Sequence, residues 1–175
     1  MAGLGALARG LIFVAVVLGA CAPSTGAADG RQSFRGMIGT TGAPGGRHVV
    51  ASVVVGKGVY NGVGKVVEVA NRPGDSDKVS RDNLVFPEGT LHLKSVTTRA
   101  SIVPDSNACT FTFRVQQTGT IEGGTGRFAN ATGSSHNSVV SGKGIGARRP
   151  DGSCDTSRAL RIEIDSFSST GTLSY

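Results

Sequence analysis

The chain has 175 residues, of which 38% are hydrophobic and 17% charged, with 27 glycines, three cysteines and a formal net charge of +6. The hydrophobic fraction is too high for a disordered chain, and the glycines lack the three-residue period of collagen. Valine, threonine, serine and glycine dominate after residue 30, so the composition disfavours a helical bundle and favours one domain of short strands.

The first 20 residues predict a signal peptide, because Arg9 is followed by an apolar stretch too short to span a bilayer. Leu18-Gly19-Ala20-Cys21 resembles the lipobox of bacterial lipoproteins. This resemblance implies that Cys21 carries palmitate-type acyl chains and holds the mature protein at the outer face of the cell membrane. The alternative is ordinary cleavage at nearby small residues, which releases a soluble secreted protein. Residues 21–30 have the composition of a flexible tether, which leaves residues 31–175 for the domain.

The remaining cysteines, Cys109 and Cys154, are predicted to form a disulfide if Cys21 is acylated, because disulfides persist in exported proteins. Two buried free thiols are the alternative. The histidines show no metal-ligand spacing with one another or with either cysteine, so we expect neither a metal site nor a cofactor.

The rest of the chain predicts short strands between clusters of glycine, proline, asparagine and aspartate. Apolar and polar residues alternate most clearly at 110–117 and 159–165, where Ile162 and Ile164 are predicted to face the core and Glu163 and Asp165 the solvent. The two valine-rich strands predicted at 48–55 and 63–70 are so uniformly apolar that we expect both of their faces to be covered. The predicted strands cover residues 32–38, 48–55, 63–70, 78–86, 90–97, 110–117, 134–142, 159–165 and 168–174.

Eight or nine such strands without helical crossovers favour an antiparallel barrel or a two-sheet sandwich. We prefer the barrel because its closure removes exposed strand edges. Residues 119–133 predict a strand that ends at Glu122, a glycine turn with positive φ, one helical turn that places Phe128 and Ala131 in the core, and a new strand from Gly133. A dinucleotide site is not expected, because it needs a helix after the last glycine and Gly133 ends any helix after one turn.

The same segment resembles a motif of the allene oxide cyclase and dirigent barrels, and more closely that of exported actinobacterial proteins thought to share that barrel. Val85 to Leu91 and Cys109 also resemble those exported proteins. The resemblance implies an all-β fold, a single antiparallel eight-stranded β-barrel with one short helical turn, and makes a homo-oligomer worth testing. It carries over no catalytic residue, because the catalytic groups of both families lie outside the matched positions. The motif residues are Gly123, Gly124, Gly126, Phe128, Ala131 and Gly133.

Three functions are compatible with such a barrel. The leading hypothesis is a non-enzymatic module that binds one small apolar or amphiphilic ligand in the lumen. The alternatives are an isomerase or cyclase acting there, and a structural or surface-interaction protein with a packed barrel. Glu68 is the best catalytic candidate. Glu163 is a distant second, because the alternation of its strand points it outward. Nucleic-acid binding is not expected, because the positive charge is dispersed and aromatic residues are few.

Overall fold

The computed structural model describes residues 27–43, 46–155, 157–158 and 160–175. The predicted signal peptide and Cys21 lie outside these residues. Within the described part of the chain, no helix is long and apolar enough to cross a membrane.

Eight long antiparallel strands close into a barrel, which confirms the predicted fold class. These strands are β1 (Asp29–Ala43), β2 (Gly46–Gly58), β3 (Gly62–Val69), β4 (Val79–Phe86), β5 (Gly89–Asp105), β6 (Thr110–Gly124), β7 (Thr132–Ile145) and β10 (Ile162–Ser174). Around the barrel they follow the order β1-β10-β7-β6-β5-β4-β3-β2. Two short strands, β8 (Ala147–Arg148) and β9 (Cys154–Asp155), pair with each other between β7 and β10.

Aromatic rings lie against glycines on neighbouring strands inside the barrel. Phe113 of β6 is opposite Gly142 of β7, and its ring fills the space that a Cβ atom at Gly142 would need. Phe167 of β10 has the same relation to Gly36 of β1. Because small and large residues alternate in this way, bulky rings fit within a narrow barrel.

A hydrophobic core fills one end of the barrel. Phe128, Leu91 and Leu173 are fully buried there, and each such side chain contributes about 1.5–3 kcal/mol to stability. The 3-10 turn Gly126–Phe128 delivers Phe128 to this core. Gly126 has a φ of +58° and sits against the backbone of Glu88, so this position needs a glycine. The predicted turn is therefore present, although β6 continues to Gly124 and β7 already begins at Thr132.

The predicted disulfide is confirmed at the opposite end of the barrel. Cys109 and Cys154 are bonded, with their Cα atoms 5.3 Å apart and a sequence separation of 45. The bond ties the connection between β5 and β6 to the β8–β9 hairpin. Closing a loop of this length stabilises the fold by roughly 4 kcal/mol in the loop-entropy model.

The predicted faces of β10 are wrong. Ile162 and Ile164 are 47% and 53% exposed, whereas Asp165 is only 2% exposed, and Glu163 is half-buried on the same face as Asp165. The two strands predicted at 159–165 and 168–174 form one strand, which β1 pairs along its whole length. The side chains of Phe167 and Leu173 lie in the interior of the barrel. Because side chains alternate along a strand, every odd-numbered residue of β10 points inward.

The valine-rich strands are also covered on one face only, contrary to prediction. Val54 and Val66 face the interior and are buried, whereas Val50, Val53 and Val63 are exposed. The reason is that no second layer of the described chain packs against the outside of these strands.

Candidate functional site in the barrel lumen

A cavity of about 100 Å³ lies inside the barrel beside the hydrophobic core. Its wall includes the apolar residues Phe34, Leu84 and Phe167. Serine, glycine and glutamine residues make up much of the rest of the lining. The lumen therefore combines an apolar surface with hydroxyl and amide groups, as small-molecule sites commonly do.

Four small residues lie side by side in the wall of this cavity. Ser95, Gly119, Ser135 and Gly171 lie in register across β5, β6, β7 and β10. No side chain in this row is longer than a hydroxymethyl group, so the row leaves unfilled the volume that larger residues would occupy. We call these four residues the small-residue row.

A second row supplies polar groups next to the first. Gln117 lies opposite Ser138 of β7, and Ser138 lies opposite Ser169 of β10. All three line the cavity. The amide of Gln117 donates a long hydrogen bond of 3.5 Å to the hydroxyl of Ser80. These groups are placed to bond the polar end of a ligand.

Gln32, which lines the cavity, is hydrogen-bonded to the backbone of Tyr60. The buried Gln32 amide donates to the backbone carbonyl of Tyr60 at 3.1 Å and accepts from its N–H at 2.9 Å. The Tyr60 hydroxyl donates to the Glu88 carboxylate at 2.7 Å. Burial, followed by the bond to Glu88, raises the pKa of Tyr60 to about 12. Gln32 is thus occupied with the backbone, and the phenol stays protonated at neutral pH.

The acidic residues do not lie where the sequence predicted. Asp82 lines the cavity, and its neighbour across the strands is Glu68. Glu68, the preferred catalytic candidate, is exposed and does not line the cavity. Glu163 was expected to point outward but shares the inner face of β10 with Asp165.

A cleft opens through the side wall between β2 and β3. The two strands pair only where Val54–Gly56 meets Gly62–Gly64. At the end of this pairing, the Ser52 hydroxyl accepts from the N–H of Val66 at 3.0 Å and donates to its carbonyl at 2.8 Å. Beyond this bridge, residues 48–52 and 65–68 line a cleft of about 480 Å³. Val66 lines both the cleft and the cavity, so the two spaces meet at this residue.

The motif residues belong to the structural part of the barrel and not to the cavity. Phe128 and Ala131 are in the core, and none of the six motif residues lines the cavity. Sequence reasoning missed Asp82 and the small-residue row, because these residues come together only through the register of separate strands. The described part of the chain contains no group of three or more histidine, cysteine, aspartate or glutamate residues that could hold a metal ion.

No family model matches this chain, and no curated protein or solved structure matches it either. The resemblance to the allene oxide cyclase and dirigent barrels therefore stays a prediction.

Proposed function

We propose that this chain is an exported, lipid-anchored barrel that binds one small amphiphilic molecule in its lumen. The observation that carries the proposal is the cavity of about 100 Å³ bounded by an apolar wall and a row of serine and glutamine side chains. Apolar protein cavities of roughly 150 Å³ hold a benzene-sized molecule. This cavity is smaller, at about 100 Å³, so the ligand that fits this space and these groups is a short chain with one polar end.

The anchor is supported by the sequence alone. The signal-like residues 1–20 and the lipobox-like segment ending at Cys21 favour acylation of that cysteine. The tether then holds the barrel at the outer face of the membrane, where amphiphilic molecules concentrate.

A second candidate function is an isomerase or cyclase acting on an apolar substrate in the same lumen. It is favoured by Asp82, which brings a carboxyl group to the wall of the cavity and so supplies a group for proton transfer. Under this alternative, Asp82→Asn abolishes conversion of the bound molecule but leaves its binding intact.

Filling the cavity tests the leading proposal. Ser169 lines the cavity, so Ser169→Leu is expected to occupy it and to exclude a ligand. The full chain is produced in an exporting host, and native mass spectrometry records any adduct that is lost on denaturation. We expect a small-molecule adduct on the parent protein and none on Ser169→Leu. The acyl mass at Cys21 remains after denaturation and disappears in Cys21→Ser.

The matched control is Ser168→Leu, which adds the same side chain to the neighbouring residue on the exposed outer face of β10. This variant is expected to keep the adduct. A bare mass for the parent protein over repeated preparations would reject the lumen as a ligand site. Equal loss of the adduct in both variants would place the ligand elsewhere.

A further inference from the structure

A patch of exposed apolar residues extends across the outside of five neighbouring strands, β7, β10, β1, β2 and β3. Its large side chains are between 40% and 59% exposed. We call this surface the β1 face, after its central strand. Its apolar members are Met37, Val53, Val63, Ile145, Ile162 and Ile164.

Strand register makes this surface continuous. Met37 of β1 lies opposite Val53 of β2, and Ile162 of β10 lies opposite Ile145 of β7. Ile164 lies between these pairs on β10, opposite Gly39 of β1. Contiguous exposed apolar surface of this kind marks an interaction site, whereas scattered single residues do not.

The charges on the β1 face have one sign. Arg35, Lys57, Lys65 and Lys143 are exposed at outward positions of these strands. Among the described residues of the five strands, Asp29 at the barrel rim is the one outward carboxylate, because Glu68, Glu163 and Asp165 occupy inward positions. The face is therefore apolar at its centre and basic around it.

We propose that the β1 face rests on an anionic lipid bilayer. Apolar side chains enter the boundary between headgroups and acyl chains, while lysine and arginine side chains pair with anionic headgroups. A second copy packed on this face by a two-fold axis would set its basic residues against each other, and such like-charge contacts oppose association. The bilayer is the occupant that matches both the apolar and the basic parts.

The start of β1 lies within reach of the proposed anchor. β1 is the central strand of the face, and it begins at Asp29. A chain from Cys21 to Asp29 reaches at most about 28 Å when fully extended. An anchor at Cys21 would therefore keep the barrel close to the membrane, although Asp29 is at the end of β1 opposite to the end that pairs with Ile162. Contact between the β1 face and a bilayer does not require a ligand in the lumen.

Vesicle binding of the full chain carrying Cys21→Ser tests the inference without acylation. The probes are vesicles of phosphatidylcholine alone and vesicles containing phosphatidylglycerol. We expect binding to the anionic vesicles, and Arg35→Glu with Lys143→Glu is expected to weaken it roughly tenfold or more. The matched control, Lys78→Glu with Arg99→Glu, makes the same change in net charge at exposed residues away from the β1 face. This control is expected to weaken binding much less.

A fluorescent label reports which face meets the lipid. Ile164→Cys and Ile102→Cys, each labelled in the Cys21→Ser chain, place the probe on the β1 face and on the exposed part of β5. A blue shift on anionic vesicles at position 164 but not at 102 supports the proposal. Equal shifts at both positions, or equal loss of binding in both charge-reversal pairs, would overturn it. A lipid-independent blue shift at 164 together with a dimer mass would also overturn it, in favour of a second copy.

These readouts are separate from the test of the lumen. Ser169→Leu acts inside the barrel and is expected to leave vesicle binding unchanged, so failure of one proposal does not imply failure of the other.

Discussion

At the scale of single residues, the side-chain amide of Gln32 pairs with the backbone of Tyr60, as a neighbouring strand would in a sheet. Its amide bonds both the N–H and the carbonyl of Tyr60, a residue in the connection between β2 and β3. A buried backbone group without a partner costs about 1–3 kcal/mol. Gln32 is therefore the reason why the ring of Tyr60 can lie in the core, in edge contact with Phe86 and Phe128.

Replacing this amide is expected to be costly. Gln32→Leu keeps a similar volume but removes both bonds to Tyr60, so we expect a loss of about 2–4 kcal/mol in the free energy of unfolding. Urea denaturation measures this loss. Gln116→Leu, at an exposed position of β6, is the control and is expected to change stability by less than about 0.5 kcal/mol. Similar values for the two variants would show that the Gln32 amide does not hold the connection.

At the scale of elements, an ionic cluster fastens the loop between β3 and β4 to the barrel wall. The nearly buried Arg81 guanidinium bonds Asp75 of this loop at 2.6 Å and Glu122 of β6 at 2.7 Å. The bond to Arg81, followed by the N–H of Arg72, lowers the pKa of Asp75 to about 2 from its usual value of 3.8. Through Arg81, Asp75 therefore joins the loop to β4 and β6, and Arg72 of the same loop adds a second contact with Glu122 at 3.3 Å.

The pH dependence of this cluster has a definite sign. Because the pKa of Asp75 is lowered in the folded protein, its stabilisation is complete above pH 4 and is lost as the pH falls towards 2. We expect Asp75→Asn to lower the melting temperature at pH 7, and the difference from the parent protein to shrink over that acid range. Asp77→Asn alters an exposed carboxylate of the same loop and is the control. A difference that stays constant down to pH 2 would contradict the role given to the Asp75 charge.

The inner faces of the strands could be predicted from the sequence for β6 but not for β10. Alternation at Phe111, Phe113 and Val115 placed the inner face of β6 correctly, because apolar residues there point inward. The same rule failed at β10, where Asp165 is buried and Ile164 is exposed. Hydrophobic alternation assumes that water lies on the polar side, and this barrel has a partly polar interior and a partly apolar exterior. The closed fold and the helical turn were therefore predictable, whereas the small-residue row and the β1 face were not.

At the scale of the whole molecule, the barrel is closed unevenly. β1 and β10 pair from Asp29 to Thr41, whereas β2 and β3 pair only between Val54–Gly56 and Gly62–Gly64. Short ladders with exposed edges open most readily. The seam between β2 and β3 is thus expected to be the weakest part of the wall, and its cleft reaches Val66 at the edge of the cavity.

Ser52 is expected to control this seam, because its hydroxyl bridges the N–H and carbonyl of Val66 where the strands separate. Ser52→Ala removes both bonds, each of which contributes about 1 kcal/mol, so the Val66 amide should exchange its hydrogen about five- to tenfold faster or more. Ser33→Ala is the control, because its hydroxyl donates to the Lys57 carbonyl on the well-paired side of β2. If the seam is the route to the lumen, Ser52→Ala also speeds both binding and release of the ligand while its affinity changes little. Faster exchange at Val66 with unchanged ligand kinetics would show that the ligand reaches the cavity by another path.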